Sequence, residues 1–213
     1  MRPLVRKRTA RAPSALILTV VLTCVSSTVL AQIDPDGFLQ RWLILEPISV
    51  SGQLGDAAVR ATVAAETFPG QLTVIPEDGD RVRIGDETLI WHEVVTNDYN
   101  VNLYHFAHDL GRPTSNVLFW VVTVIDVPED LHEVRLAIGS NAASIWWVNG
   151  EQVIEIFNDR QTVIDDGVSD RLTLRKGRNV IRAAIVNAGG ATDFCARILD
   201  ARNQAITTIR VLR

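Results

Sequence analysis

Residues 144–157 read S-I-W-W-V-N-G-E-Q-V-I-E-I-F, and this stretch decides the fold class. Two runs rich in β-branched and aromatic residues flank the pair Asn149-Gly150. Asparagine and glycine tolerate the positive φ angles of a two-residue type I′ turn, and the twist of that turn matches a right-handed hairpin. The stretch therefore predicts a β-hairpin and favours an all-β protein.

The first 31 residues have the composition of an export signal. Five basic residues lie at the start, an apolar stretch runs from about Ala15 to Leu30, and Val29 and Ala31 suit the positions before a cleavage point. An uncleaved membrane anchor is the alternative, because the apolar run approaches the ~20 residues that span a membrane. The polar run Ser26 to Thr28 favours cleavage, so we interpret residues 1–31 as a signal peptide and expect a secreted or periplasmic protein.

The remaining chain, residues 32–213, has the length of a single domain. Its formal net charge is −9, compared with −4 for the whole sequence, since sixteen basic residues then stand against twenty-five acidic ones. Nucleic acid and anionic lipid need a concentrated positive surface, so we expect neither as a partner once the signal is removed. Cys195 is the only cysteine left, which excludes an intrachain disulfide and favours a buried structural thiol.

The chain from residue 32 onward reads as a series of short strands. One helix is expected near residues 55–67, where apolar residues recur at helical spacing before Pro69-Gly70. The run Val117 to Val127 is apolar almost throughout, so both of its faces should be covered. We predict an all-β fold, a two-sheet antiparallel β-sandwich or jelly roll, in which residues 97–116 form a long and functional loop. The predicted strands are 38–45, 72–75, 81–84, 88–95, 117–127, 133–138, the two hairpin strands, 171–174, 180–186, 194–199 and 206–212.

The region from Gly139 to Leu199 resembles a family of bacterial secreted modules with a galactose-binding-like jelly-roll fold, related to carbohydrate-binding modules. Its family pattern runs S-D-D-G-x-x-V-W-x-N-G, then an arginine, an acidic loop, L-x-x-G-x-N and a closing aromatic strand. The matching residues are Ser140, Trp147, Asn149, Gly150, Arg160, Asp165, Asp166, Leu174, Gly177, Asn179 and Phe194. The resemblance implies a β-sandwich from residue 32 to residue 213 that accompanies polysaccharide-active proteins.

Two departures from that family pattern bear on the ligand. Asn141-Ala142-Ala143 replace the usual D-D-G, so the role of those carboxylates, cation ligation or loop hydrogen bonding, is open here. Ala191 stands near the place of an aromatic residue that could stack on a sugar. Fold resemblance alone does not transfer chemistry.

Trp146 and Trp147 are adjacent in a predicted strand, so their side chains should point to opposite faces of the sheet. Trp147 matches the family tryptophan and is expected in the core. Trp146 then faces outward, as a platform on which a sugar ring stacks, or lies under a neighbouring strand or the helix. We include Trp146 among the candidate ligand-binding residues.

The other candidates lie in two polar loops. Asn158, Arg160 and Asp165 follow the hairpin, and an arginine there suits sugar hydroxyls or a uronate carboxylate. An Arg–Asp ion pair that fastens the loop is the alternative. Tyr99, Tyr104 and His105 lie in the predicted loop 97–116 and add aromatic and polar contacts at one end of the sandwich.

Neither a cofactor nor a reaction is marked in the sequence. The acidic pairs Asp34/Asp36, Asp78/Asp80 and Asp165/Asp166 keep a structural calcium ion as an open alternative, although calcium needs 6–8 converging oxygens. No G-x-S-x-G, H-E-x-x-H or C-x-x-C motif occurs. His105 and His108 with Asp109 are the one histidine cluster, which we interpret as solvent-exposed.

These observations lead to three hypotheses. The first is a secreted, non-catalytic β-sandwich that binds polysaccharide or another glycan by aromatic stacking and loop polar contacts. The second is a structural or protein-interaction domain of the cell envelope, with other envelope proteins as partners. The third, placed last, is a component of a carbohydrate esterase or glycoside hydrolase, for which paired carboxylates would be needed.

Overall fold

The computed structural model describes residues 31–212, and these residues form two antiparallel sheets with two short helices. The predicted all-β sandwich is therefore confirmed. The predicted signal peptide lies outside the described residues, except for Ala31. The elements are β1 (Ala31–Gln32), β2 (Arg41–Leu45), β3 (Ile48–Ser49), α1 (Asp56–Ala64), β4 (Arg81–Ile84), β5 (Glu87–Val95), β6 (Val101–Asn102), α2 (Leu103–Asp109), β7 (Val117–Val127), β8 (Leu131–Ser140), β9 (Ala143–Val148), β10 (Glu151–Ile156), β11 (Gly167–Val168), β12 (Leu172–Leu174), β13 (Gly177–Asn187), β14 (Asp193–Leu199) and β15 (Arg210–Val211).

The larger sheet has ten strands, and its main path runs β10-β9-β13-β7-β2-β5-β4. Along one edge of β7, three partners follow one another: β3, then β2, then β15, which in turn pairs with β1. The smaller sheet has five strands in the order β11-β8-β14-β6, with β12 on β8. The long pairing of β7 with β13, from Gly177↔Val127 to Asn187↔Val117, lies at the centre of the larger sheet.

The hairpin predicted at residues 144–157 is confirmed. Asn149 and Gly150 have φ angles of 51° and 85°, and β9 and β10 pair directly on either side of them. Two hydrogen bonds fix the turn to β13: the Asn149 Oδ1 atom accepts from the Val180 N–H at 2.9 Å, and its Nδ2 atom donates to Asn179 Oδ1 at 2.9 Å. The turn therefore sets both the hairpin and its place in the larger sheet.

Two hydrophobic cores occupy the two faces of the larger sheet. The inter-sheet core lies between the sheets and takes side chains from both, among them Trp42, Phe119 and Phe194. The outer core lies on the opposite face of the larger sheet, and there α1 and Phe68 cover side chains such as Trp120. The sandwich therefore carries a third layer, because a central strand that is apolar on both sides must be covered on both sides.

The third layer explains the burial of adjacent side chains. Ten of the eleven residues of β7 are buried, which confirms the prediction that both faces of this strand are covered. All six residues of β9 are buried as well.

The prediction of Trp146 as an exposed platform is wrong. Its side chain is fully buried in the inter-sheet core, with ring centroids 6.1 Å from Trp42 and 5.6 Å from Phe194. The indole N–H donates to Ser144 Oγ at 2.9 Å, so its polar group is satisfied inside the protein. Trp147 faces the other way, into the outer core against Trp120. Both tryptophans are structural because both faces of β9 are covered.

The segment after α1 differs from its predicted conformation. The helix predicted near residues 55–67 is present as Asp56–Ala64, and the Gln71 side chain donates to the Val63 and Ala65 carbonyls at its end. The strand predicted at 72–75 is absent: the N–H groups of Thr73 and Val74 both donate to the Gly70 carbonyl and form a turn. Of the apolar residues there, Val74 packs on the outer core, whereas Leu72 and Ile75 are exposed.

Arg182 connects the segment after α1, at residues 71–74, to the larger sheet. Its side chain lies on the outer face of β13, is 3% exposed, and donates to the Gln71 carbonyl at 2.9 Å and to the Val74 carbonyl. It makes no ion pair with a carboxylate of the described residues, and burial lowers its pKa to about 10. Carbonyl dipoles therefore take the place of a counterion at this position.

The long loop predicted at residues 97–116 contains a second helix, α2, which the sequence pattern did not indicate. Asn102 caps it by accepting from the His105 N–H at 2.8 Å, as asparagine commonly does at a helix start. Only two of its seven residues, Leu103 and Ala107, are buried, so the apolar face is too narrow to give a clear helical period. Neither helix of the described residues has the length and apolar character to cross a membrane.

The burial of Trp146 generates the first prediction. Trp146→Ala removes a large side chain from between Trp42 and Phe194, and we expect the free energy of unfolding to fall by about 3–5 kcal/mol. Tyr99→Ala is the matched control, because Tyr99 is an aromatic residue with 44% exposure, and its loss should cost about 1 kcal/mol or less. Urea denaturation followed by circular dichroism measures both, and equal losses would contradict the assigned burial.

Candidate functional site

Four loops meet at one end of the sandwich, where β14 begins, and we call this region the loop end. It comprises residues 97–102, 140–142, 158–166 and 188–193. The loops converge because β6, β8 and β14 are neighbours in the smaller sheet and because the loop after β10 returns over them. Rigid strands thus fix the spacing of the polar groups in these loops.

Asp193 is the centre of the loop end. One of its carboxylate oxygens accepts from Asn100 Nδ2 at 3.2 Å, and the other accepts from the Thr162 hydroxyl. Its backbone N–H donates to Asn141 Oδ1 at 3.0 Å. A single residue therefore joins three loops that are distant in sequence.

Asn141 extends the hydrogen-bond network of Asp193 to two more loop residues. Its Nδ2 atom donates to the Ala191 carbonyl at 2.8 Å, and its own carbonyl accepts from the Arg160 N–H at 3.1 Å. The preceding Ser140 is fully buried, and its hydroxyl donates to the Ala142 carbonyl at 3.0 Å. The segment that replaces the D-D-G of the resembled family thus forms hydrogen bonds within and between loops.

No motif or spacing in the sequence selects Asp193, Thr162 or Asn100 as site residues. The partners of Asp193 lie 31, 93 and 52 positions away along the chain, so no local spacing connects them. The one usable signal is the position of Asp193 at the start of a strand and three residues after Gly190, where a side chain is free to reach neighbouring loops.

The loop 158–166 lies directly on the smaller sheet at Gly139. A Cβ atom added to Gly139 would stand 2.2 Å from the Val163 carbonyl oxygen and 3.0 Å from Cys195 Sγ, so only glycine permits this approach. Cys195 is buried beneath the loop, which agrees with the predicted structural thiol. Burial raises the pKa of the Cys195 thiol from 9.0 to about 11, because the thiolate would lose its hydration there.

The charged residues predicted for this loop are paired with each other or with the sheet. Arg160 forms an ion pair with Asp166, which is the loop-fastening alternative considered above. Asp165 accepts two hydrogen bonds from the guanidinium of Arg197, one of them at 2.9 Å. Both arginines keep partial exposure, with side chains 36% and 21% accessible, so a ligand can still reach them.

A row of side chains connects Asp165 to Tyr99 across the outer surface of the smaller sheet. The Arg197 guanidinium lies 5.0 Å from the centre of the Phe38 ring, and Phe38 lies 5.8 Å from Tyr99. Tyr99 is the exposed end of the row. Two predicted site residues, Asp165 and Tyr99, are thus brought to one surface.

The helix α2 adds a second group of rings to the loop end. The Leu103 and Tyr104 N–H groups both donate to the Thr192 carbonyl, beside Asp193. Tyr104 and His108 lie one turn apart, with parallel rings 6.0 Å apart at 15°, and His105 is exposed next to them. The backbone at the start of α2, the helix that carries Tyr104 and His105, is therefore attached to the residue before Asp193.

Two predicted site residues lie away from the Asp193 network. Trp146 is in the inter-sheet core, as described above. Asn158 is exposed with a φ angle of 67°, but its N–H donates to the Leu54 carbonyl, toward the third layer and away from the Asp193 network. Asn158 forms a bend that leads into the loop.

The acidic pairs considered for calcium are used in turns and ion pairs. Asp34 accepts from the Phe38 N–H at 2.6 Å, Asp78 from the Glu93 N–H at 2.8 Å, and Asp80 from the Glu77 N–H at 2.8 Å. Within residues 31–212, no group of three or more histidine, cysteine, aspartate or glutamate residues is placed to hold a metal ion. His108 and Asp109 contact each other at 3.3 Å on the surface.

No protein-family model and no curated protein sequence matches the chain.

Among solved structures, the chain is similar to a PA14 sugar-binding domain from an RTX adhesin, with 14% identity and a TM-score of 0.47 over 80% of this chain and 96% of that one. It is also similar to the PA14 domain of the MpAFP antifreeze protein, with 14% identity and a TM-score of 0.43 over 84% and 97%. A β-glucosidase from Kluyveromyces marxianus in complex with glucose matches at 22% identity and a TM-score of 0.39, over 56% of this chain and 14% of the enzyme. At these scores the similarities assign neither a family nor a ligand.

The close approach of the loop to Gly139 generates a prediction with a chemical readout. Gly139→Ala should lift the loop 158–166 from the sheet, because the added methyl group would meet a backbone oxygen that cannot rotate away. We expect Cys195 to react with a thiol reagent at least about tenfold faster in this variant at pH 8. Gly189→Ala is the control, because its nearest contact is the flexible Ser115 side chain at 3.4 Å; equal rates in both variants would contradict the assigned contact.

The raised pKa of Cys195 predicts a specific pH dependence of stability. The unfolded chain releases the thiol proton near pH 9 and the folded protein near pH 11, so the unfolded state binds fewer protons between these values. The contribution of the buried thiol is thus complete below pH 9 and falls as pH rises, by about 2 kcal/mol at pH 11. Urea denaturation of wild type and Cys195→Ala from pH 7 to 11 measures it: the difference between the two curves should shrink above pH 9, and a constant difference would refute the assignment.

Proposed function

We propose that the exported chain is a non-catalytic module that binds glycan at the loop end. The observation that carries the proposal is the pair of parallel rings of Tyr104 and His108 on α2, a helix whose first residues donate hydrogen bonds to the Thr192 carbonyl, one residue before Asp193. A sugar ring has an apolar face and a rim of hydroxyl groups. The Tyr104 and His108 rings suit the apolar face, and the polar groups of the loop end suit the hydroxyl groups. No bond is broken in this function.

The parts of the loop end have distinct roles in this proposal. The tyrosine and histidine rings contact the apolar face of a sugar, and Tyr99 extends that surface across the smaller sheet. Arg160 and Asp165 offer partly exposed charged groups for hydroxyl contacts, although each is held by an ion pair. Because those pairs hold the side chains in place before binding, little conformational entropy is lost on association.

A second candidate function is supported by exposed apolar side chains in the same loop. Val163 is 54% exposed and Ile164 is 43% exposed, and both lie on the loop 158–166 beside the ion pair of Arg160 and Asp166. Exposed apolar groups within a polar rim are common at protein–protein contacts. In this alternative the loop end docks another envelope protein instead of a glycan.

A glycan screen tests the proposal. Purified protein is tested on a glycan array, and hits are titrated by calorimetry. For the glycan that binds, we expect Tyr104→Ala to weaken the affinity at least about fivefold, through loss of ring contact. Tyr104→Phe should retain binding.

Leu72→Ala is the matched control in this screen, because Leu72 is a large exposed residue of the third layer, remote in sequence from the loop end. An unchanged affinity in Tyr104→Ala places binding away from α2. Absence of any glycan hit, together with capture of an envelope protein that is lost in Val163→Asp, supports the docking alternative. Hydrolysis of chromogenic glycosides or acetyl esters by the purified protein would show that the non-catalytic assignment is wrong.

A further inference from the structure

The helix α2 is too short to keep its own position. It has seven residues, whereas isolated helices shorter than about 12–15 residues are marginal in water. Only Leu103 and Ala107 are buried, so little apolar surface fixes it to the protein. Contacts with its neighbours must therefore hold the helix, and with it the rings of Tyr104 and His108.

The start of α2 is attached to the loop end. Two backbone N–H groups there donate to the Thr192 carbonyl, and the Asn102 side chain caps the first turn. His108 lies one turn further along, beyond the reach of these contacts. The position of the ring pair therefore depends on a second attachment at the end of the helix.

Glu46 supplies this second attachment. It directly follows β2, its side chain is only 6% exposed, and its Oε2 atom accepts from the Arg112 guanidinium at 2.5 Å. Arg112 lies three residues after α2, and its own N–H donates to the Ala107 carbonyl at 2.9 Å. The ion pair thus connects the last turn of α2 to the end of a strand in the larger sheet.

The other oxygen of Glu46 contacts a side chain on which α2 packs. His92 of β5 has its Nε2 atom 3.3 Å from Glu46 Oε1, and a carboxylate only accepts, so His92 is the donor. The His92 ring meets the edge of the Phe106 ring on α2, with centroids 5.7 Å apart, and Phe106 contacts Phe119 of the inter-sheet core. One carboxylate therefore holds both the residue beneath the helix and the arginine that follows it.

The held side of α2 is opposite to its ring surface. Residues 104 and 108 share one helix face, whereas residue 106 lies about 200° around the axis from residue 104. The contacts of Phe106 and Arg112 therefore leave the Tyr104 and His108 rings free for a ligand. A ligand that needs both rings binds only those molecules in which the helix is in place, so a weaker hold lowers its apparent affinity.

We infer that Glu46 is a positioning residue for the ring surface of α2. Its ion pair with Arg112 and its hydrogen bond with His92 fix the end of the helix, so that Tyr104 and His108 are presented together. The inference rests on the proposed function for what these rings bind. The hold on α2 itself is a property of the free protein and is measured without any glycan.

Backbone hydrogen exchange of the free protein tests this hold. Glu46→Gln keeps the size of the side chain and removes its charge, so we expect the Gly111 and Arg112 amides, which donate to carbonyls of α2, to exchange at least about tenfold faster. The Leu103 and Tyr104 amides donate to the Thr192 carbonyl instead and should change less than about twofold. Arg112→Met, at a side chain that is 32% exposed, carries the same test if Glu46→Gln does not fold.

Glycan affinity is measured by calorimetry with tetrasaccharides of glucose, galactose, mannose and xylose. For each one that binds, we expect Glu46→Gln and Arg112→Met to weaken the affinity at least about fivefold. The double variant should bind about as weakly as either single variant, because both changes remove one contact. Arg112→Lys keeps the positive charge beside Glu46 and should stay within about twofold of wild type.

Glu93→Gln is the matched control. Glu93 is a partly exposed carboxylate on β5 that forms an ion pair with Arg41 of β2 at 2.9 Å. Neighbours in a strand point to opposite faces, so Glu93 faces away from His92 and from α2. This variant should leave both the exchange of the α2 amides and the glycan affinity unchanged.

Three outcomes overturn the inference. These are unchanged exchange of the Gly111 and Arg112 amides in both variants, wild-type affinity despite faster exchange, and equal losses of affinity in Arg112→Lys and Arg112→Met. If Tyr104→Ala weakens binding and Glu46→Gln does not, the proposed function stands and the inference fails. If no tetrasaccharide binds wild type, the proposed function fails, whereas faster exchange at the end of α2 still supports the hold by Glu46.

Discussion

The antiparallel pairing of β7 with β13 is the constraint on which the rest of the structure depends. It joins eleven residue pairs, and nearly all of their side chains are buried, whichever face they point to. A sheet that is apolar on both faces needs a second sheet on one side and another cover on the other. The smaller sheet and the layer of α1 with the segment after it meet these two needs.

The loop end follows from that arrangement. The smaller sheet is held against the larger one by the inter-sheet core, and this fixes the ends of β6, β8 and β14 relative to one another. Asp193 then joins loops that leave those ends, with hydrogen bonds to Asn100 and Thr162. A surface that is held in this way changes little when a ligand arrives, which suits recognition better than chemistry that requires a closing lid.

The sequence pattern was a good guide to the fold and a poor guide to the site. The Asn149-Gly150 pair correctly predicted the hairpin, and the apolar run at β7 correctly predicted a strand covered on both faces. Both signals are local, because a type I′ turn needs positive φ angles and a doubly covered strand needs apolar residues throughout. For Trp146 the sequence leaves an exposed platform and a covered position open, because alternation shows that two neighbours face opposite ways but not whether both faces are covered. Asp193 could not be found, because its partners come from other loops. For Arg160, the structure shows the ion-pair alternative, in which Asp166 is the partner.

Arg182 has a consequence for how the molecule opens. When the third layer lifts, the apolar surface of the outer core is exposed to water, which is unfavourable. At the same time the Arg182 guanidinium regains the hydration that it lost on burial, which is favourable. The two effects oppose each other, so we expect this layer to be a separate cooperative unit that opens before the sheets part. In such a partly open state Trp120 and Trp147 would meet solvent, whereas Trp42 and Trp146 would remain enclosed.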